Sequence, residues 1–209
     1  MTEQRFFGQF SPPVDFHIRE YFKNEEEGVC IEIGAVDGHY LSNTLHFELS
    51  GWDCLCIEPI PQYFEKLKQT RKKCLNYAIS SDEKDKVKFN LITIGHNLSS
   101  ISGLDLDYRL IETHKKLGLN PIIGEIEVQS KRLDWCIENY FNHEKIDFIS
   151  IDTEGSELDV LKSFDVNKYN IRLLVIENNY NDSDIENYLN NLGWIKDKRI
   201  EVNDFYIKK

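Results

Sequence analysis

The feature that most restricts this chain is an alternation. Short apolar runs at 28–35, 54–58, 74–80, 145–152 and 171–177 ("GVCIEIGA", "CLCIE", "CLNYAIS", "KIDFISID", "IRLLVIE") are separated by segments carrying apolar residues at helical spacing, at 40–50, 61–73, 133–141, 156–164 and 184–192. A strand that is apolar on both faces has no side to offer water, so these runs predict a parallel sheet covered by helices on both sides. Pro61 and the Ser183-Asp184 pair mark helix starts. Two places break the rhythm. Residues 86–93 and 125–129 predict extra strands around a polar stretch, 95–124, and residues 194–202 and 204–207 predict a closing antiparallel pair turning at Asn203.

With 209 residues and 41% hydrophobic content, the chain can bury one sizeable core, so a single domain over 1–209 is expected, with 1–27 as a lead-in helix. A net charge of -11 argues against a nucleic-acid backbone or an anionic membrane as the main partner. Five cysteines, an odd number and mostly in apolar settings, predict free buried thiols in a reducing compartment. No stretch has the build of a signal peptide or the length of a membrane span, and a cytoplasmic protein is expected.

The stretch "CIEIGAVDGHYLSNT" places Gly34 and Gly38 between a strand and a helix, where a backbone free of Cβ can approach a ligand. The third glycine of a dinucleotide site is absent. The next strand ends in Glu58, 24 residues after Gly34, where a carboxylate can accept both hydroxyls of a ribose. Glu32 and Asp37 add two more carboxylates beside the turn, a setting that repels a pyrophosphate and attracts a ligand with an ammonium and a sulfonium group.

This pattern, E-x-G-x-x-D-G with an acid closing the following strand, resembles the cofactor site of class I S-adenosylmethionine-dependent methyltransferases. In order, spacing and wording, "IEIGAVDGHYLSNTLHFELSGWDCLCIEPIPQYFEKLKQTRKKC", "YAISSD", "RLDWCIENY" and "IDFISIDTEGSELDVLKSF" resemble the FkbM family of methyltransferases over about Val29 to Asn179. The resemblance implies a class I, Rossmann-like fold with a mostly parallel seven-stranded sheet and an antiparallel C-terminal strand. It also implies transfer of the methyl of S-adenosylmethionine, mostly to oxygen and often on sugars or glycans.

Carried over by position, Glu32, Gly34, Ala35, Asp37 and Gly38 are expected along the methionine and sulfonium, and Glu58 on the ribose. Pro59 and Ile60 are expected near the adenine, with Ala78, Ile79 and Ser80 at its edge. Ser42 is expected either to cap the following helix or to bind the cofactor carboxylate. Segment 95–124 is the candidate acceptor-binding insert.

Methyl transfer to a hydroxyl requires an aligned oxygen, methyl and sulfur, and help in removing the proton. In a parallel α/β sheet such groups belong at the carboxyl ends of the strands, where the sequence offers Asp152, Glu154, Glu177 and Asn178. Asp152, which also borders the cofactor, and Glu154 are the expected bases, with His96 from the insert next and His114 and His39 as further histidines. Asp152, Glu177 and Asn178 also have the donor types of the magnesium site in catechol O-methyltransferase-like enzymes, so magnesium is a second possible cofactor. Two other classes remain open at this level: a non-catalytic binding domain of the same fold, and a nicotinamide-dependent dehydrogenase, which would want the missing glycine where His39 stands.

Overall fold

The structure, a computed structural model, describes residues 5–23, 25–95 and 97–209. Helix α1 (Val14–Phe22) leads into strand β1 (Val29–Ile33), followed by α2 (Leu45–Leu49), β2 (Asp53–Ile57), α3 (Pro61–Thr70) and β3 (Lys73–Leu75). Next come β4 (Ala78–Ile79), β5 (Lys84–Ile94), β6 (Asn97–Leu98), α4 (Tyr108–Lys116) and β7 (Pro121–Lys131). The chain closes with α5 (Leu133–Cys136) and a π-helical turn (Ile137–Phe141), β8 (Phe148–Ile151), α6 (Glu157–Lys162), β9 (Leu173–Glu177), α7 (Ser183–Asn191), β10 (Trp194–Ile200) and β11 (Asn203–Lys208).

Seven strands form the main sheet in the order β10-β11-β9-β8-β1-β2-β3. The pairings from β9 to β3 are parallel, whereas β11 runs antiparallel to both its neighbours. This is the α/β, class I methyltransferase arrangement expected above, with β11 as its antiparallel C-terminal strand.

The period-two geometry of a strand explains the doubly apolar runs. On one face, Cys30, Cys54, Phe148, Leu173 and Val175 pack with Val14, Ile18 and Phe22 of α1 and Phe47 of α2. On the other, Ile31, Ile33, Leu55, Ile149, Ile151, Leu174 and Ile176 pack with α5, α6 and α7. Phe22, Phe47, Trp52 and Phe148 meet edge-on or tilted, with ring centroids 4.8 to 6.4 Å apart.

The expected third strand divides. Asn76 donates to the carbonyls of Glu58 and Pro59 (2.8 and 3.0 Å), which takes the chain out of the main sheet after Leu75. It re-enters at Ala78 in a second sheet, β4-β7-β5-β6. The strands expected at 86–93 and 125–129 are each longer, and they pair antiparallel as a ribbon whose Val87, Phe89, Ile126 and Val128 share one cluster. The helix expected over 40–50 is confined to Leu45–Leu49, because residues 42–44 are drawn onto the carboxylate of Glu32.

Candidate active site

At the carboxyl ends of β1, β2, β8 and β9 lies a cleft of about 320 Å³, within the range of small-molecule sites. The turn after β1 forms its floor: the N–H groups of Gly34 and Ala35 both donate to the carbonyl of Ile57 (3.0 and 3.1 Å). Gly34 has φ +85°, and a Cβ there would stand 1.8 Å from the carbonyl oxygen of Asp152. At Gly38, with φ +76°, a Cβ would press on Leu67, Thr70 and Arg71 at 2.5 to 2.7 Å. Close approach of protein to protein therefore demands both glycines. Val36, a β-branched residue at φ +49°, holds a conformation that such side chains rarely adopt. Its N–H donates to Glu58 (2.9 Å).

Glu58 is 3% exposed and accepts one hydrogen bond on each carboxylate oxygen, from Val36 N–H and from Ile60 N–H (2.8 Å). Burial, reinforced by the charge of Asp152, pushes its carboxyl up to about 8 against the two backbone donors. Each oxygen keeps acceptor capacity for a further donor. Pro59, Ile60, Ala78 and Ile79 line the cleft beside it, and so do Tyr63, Tyr77 and Phe89. The three aromatics had no motif to announce them. Tyr63 lies in the first turn of α3, five residues after Glu58, and its hydroxyl donates to the carbonyl of Leu98 (2.8 Å).

Glu32 borders the cleft, but its carboxylate is already engaged. It accepts from Ser42 Oγ (2.7 Å), Asn43 N–H (2.6 Å) and Thr44 Oγ1 (2.7 Å), and pairs with Arg71 Nη1 (3.2 Å). Arg71, with a fully buried side chain, also contacts Glu48 and Thr44. Ser42 Oγ accepts from Thr44 N–H and Leu45 N–H (3.3 and 3.1 Å) at the start of α2, whose N-cap position is Thr44. Asp37 accepts from His39 N–H and Tyr40 N–H (3.0 and 2.7 Å), and Ser80 accepts from Asp82 N–H (3.2 Å). Asp37, Gly38, Ser42 and Ser80 all stand outside the lining of the cleft.

The far wall is acidic. Asp152, Glu154 and Glu177 bring carboxylate oxygens within 4.8 Å of one another. Burial, then the charge of Glu157, pushes Asp152 up to about 7; burial and Asp152 push Glu177 up to about 12 and Glu154 well above its usual range. Like charges this close in a desolvated wall share protons or receive a cation. Glu154 sits at φ +58°, and Glu157 holds its loop by accepting from Thr153 N–H (2.9 Å), Thr153 Oγ1 (3.1 Å) and Gly155 N–H (3.1 Å).

Asn178 does not join the cluster. Its Nδ2 donates to Asp204 Oδ2 (3.0 Å) and the Asp182 carbonyl (2.9 Å), and its Oδ1 accepts from Asp182 N–H (2.8 Å). Alternation along the strand turns it away from Glu177. Asn179 lines the cleft instead and donates to Glu177 Oε2 (2.9 Å). Among the histidines, His114 lines the cleft with Nδ1 held by the Leu110 carbonyl (2.8 Å). His39 packs on the Phe7 ring, 5.2 Å between centroids. His96 lies outside the described residues.

The model of the methyltransferase FkbM domain matches residues 32–196, most of the chain. The chain belongs to that family. No curated protein matches its sequence. Among solved structures it is similar to PH1948 of Pyrococcus horikoshii, provisionally assigned as an RNA methyltransferase, with TM-score 0.49, 9% identity, and 93% of this chain and 79% of that one covered. It is also similar to TrmK of M. capricolum, solved with S-adenosyl-homocysteine, the natural cofactor product. There the TM-score is 0.45 at 9% identity, covering 97% of this chain and 68% of that one.

As an FkbM-domain protein the chain is an S-adenosylmethionine-dependent methyltransferase, and the cleft has groups suited to that cofactor. Glu58 keeps acceptor capacity on both oxygens, Tyr63, Tyr77 and Phe89 line the cleft with Ile60, and the carboxylates of Asp152, Glu154 and Glu177 line its other wall. Among the described residues, no helix is long and apolar enough to cross a membrane.

Proposed function

We propose that this FkbM-domain protein methylates a hydroxyl group, on a sugar or glycan acceptor. The observation that carries the reading is one cleft with Glu58 at one end and Asp152, Glu154 and Glu177 at the other, so that ribose recognition and proton removal face the same space. The bound cofactor supplies an electrophilic methyl on a sulfonium. The chain's own part is to hold the acceptor oxygen in line and take its proton, a role for which Asp152, near 7, is matched to neutral pH, with Glu154 beside it. A binding domain without catalysis would have no use for three carboxylates gathered at this position.

The base role belongs to the metal-free site; were magnesium bound, Asp152 and Glu177 would hold it, with Glu154 in place of the amide of Asn178, and the ion would lower the pKa of the acceptor hydroxyl instead. Oxygen donors of this kind suit a hard divalent cation. The family resemblance and the polar groove beside the acids support a sugar hydroxyl as the acceptor.

The test is calorimetric titration of S-adenosylhomocysteine into the protein and into Glu58→Ala, with magnesium and with chelator. Binding that the substitution weakens by tenfold or more supports the cofactor site. Absence of binding in every condition overturns the reading.

A further inference from the structure

A second groove, of about 210 Å³, adjoins the cofactor cleft and shares Leu110, Glu177 and Asn179 with it. Its walls come from α4, the loop after β8, and the segment that joins β9 to α7. It opens next to the acidic wall where a methyl acceptor must present its oxygen. We infer that this groove seats the acceptor and that the acceptor carries a positive charge, as an amino sugar does, rather than a phosphate or carboxylate; this rests on the methyltransferase reading above.

The charges around the groove are unequal. Asp107, Glu157, Asp182 and Asp184 line it, against one cation among the described lining residues, Arg109; Glu177, held protonated by burial and its acidic neighbours, adds a polar group and no charge. That cation is not free to greet an anion. Its Nη2 lies 2.7 Å from Asp107 Oδ2 and 2.6 Å from Asp182 Oδ2, and its Nη1 lies 3.1 Å from Asp182 Oδ1. The guanidinium also rests over the Tyr180 ring, 4.0 Å from its centroid. Two carboxylates and an aromatic face around a cation form a seat for positive charge, and here the protein's own side chain occupies it.

An anionic acceptor would meet several carboxylates and no available donor cation, so its charge would be repelled. An ammonium group is drawn toward the same surface. The hydroxyl face of such an acceptor finds Asn179, Tyr180 and the Gly155 turn, which offer the amide, phenol and backbone groups that polyols bind. Asp184 and Glu157 also sit in the first turns of α7 and α6, where helix dipoles favour acids; that accounts for their place in sequence but does not cancel their charge at the groove.

The experiment uses the full chain saturated with S-adenosylhomocysteine, so failure of the cofactor reading shows itself first as failure to saturate. Glucosamine, glucose and glucose 6-phosphate are then titrated while the backbone amide resonances of Gly155, Asn179 and Tyr180 are followed. Glucosamine is expected to move these resonances saturably and at least about tenfold more tightly than glucose 6-phosphate, with glucose between them. In Arg109→Gln, which frees Asp107 and Asp182, glucosamine should bind several-fold more tightly; in Asp182→Asn it should bind more weakly. Equal or tighter binding of the phosphorylated sugar, or amides that glucosamine leaves unmoved, overturns the proposal. Should Asp182→Asn unfold the chain, the wild-type comparison of the three sugars decides alone.

Discussion

Buried Glu58 carries a cost to stability that its proposed part in ribose recognition would explain. Its carboxyl lies near 4.5 in an unfolded chain and near 8 when folded, so the folded protein favours the protonated form. The stabilisation this gives is complete below about pH 4.5 and is lost as pH rises through 8, on the order of a few kcal/mol. Glu58→Gln should therefore be more stable than the parent at pH 9 and close to it at pH 5, while binding S-adenosylhomocysteine at least about tenfold more weakly. Urea unfolding at the two pH values, together with calorimetry, measures both. Gly34 makes a different demand: Gly34→Ala has to place a methyl 1.8 Å from the Asp152 carbonyl oxygen at a positive φ, and both strand ends must move. A loss of about 4 kcal/mol or more, or failure to fold, is expected, read from the urea midpoint and far-ultraviolet dichroism. In the acidic wall, Asp152→Asn should lower methyl transfer by about 10² to 10⁴-fold and change S-adenosylhomocysteine affinity far less, a split seen by comparing turnover with calorimetry.

Among the elements, the turn after β1 is tied to α3 by the buried Arg71, which pairs with Glu32 at 3.2 Å and Glu48 at 2.5 Å. Arg71→Met leaves two buried carboxylates without their cation, and a loss of about 3 to 5 kcal/mol is expected in urea unfolding. This network was hidden in the sequence, because Glu32 reads as a ligand-facing acid until Arg71, 39 residues later, is seen beside it. The main-sheet strands were legible because a doubly buried strand is written almost wholly in apolar letters, as in "FISI" and "LLVIE". The ribbon of β5 and β7 runs past its expected ends mainly at residues 121–124, where Pro121 and Gly124 read as turn residues although they pair with Ile94 and Leu91 in the ladder. Glu58, Asp152 and Glu154 could be placed because strand ends are fixed points in a parallel sheet. Which of Asn178 and Asn179 faces inward depends on where β9 stops, and a shift of one residue reverses the answer.

At the scale of the molecule, a chain of net charge -11 with an acidic cleft should bind the cationic cofactor and its product by different laws. S-adenosylmethionine carries a sulfonium that S-adenosylhomocysteine lacks, so raising salt from about 50 to 500 mM should weaken the first several-fold and the second little, as calorimetry at the two ionic strengths would show. The contact between Gly34 and the Asp152 carbonyl has a consequence for descent and for engineering. The turn after β1 and the loop after β8 are pressed together too closely for either to be exchanged alone, so they must be inherited, or transplanted, as a pair. New acceptors would then be acquired by redrawing α4 and the segment after β9 around a core of chemistry that stays fixed.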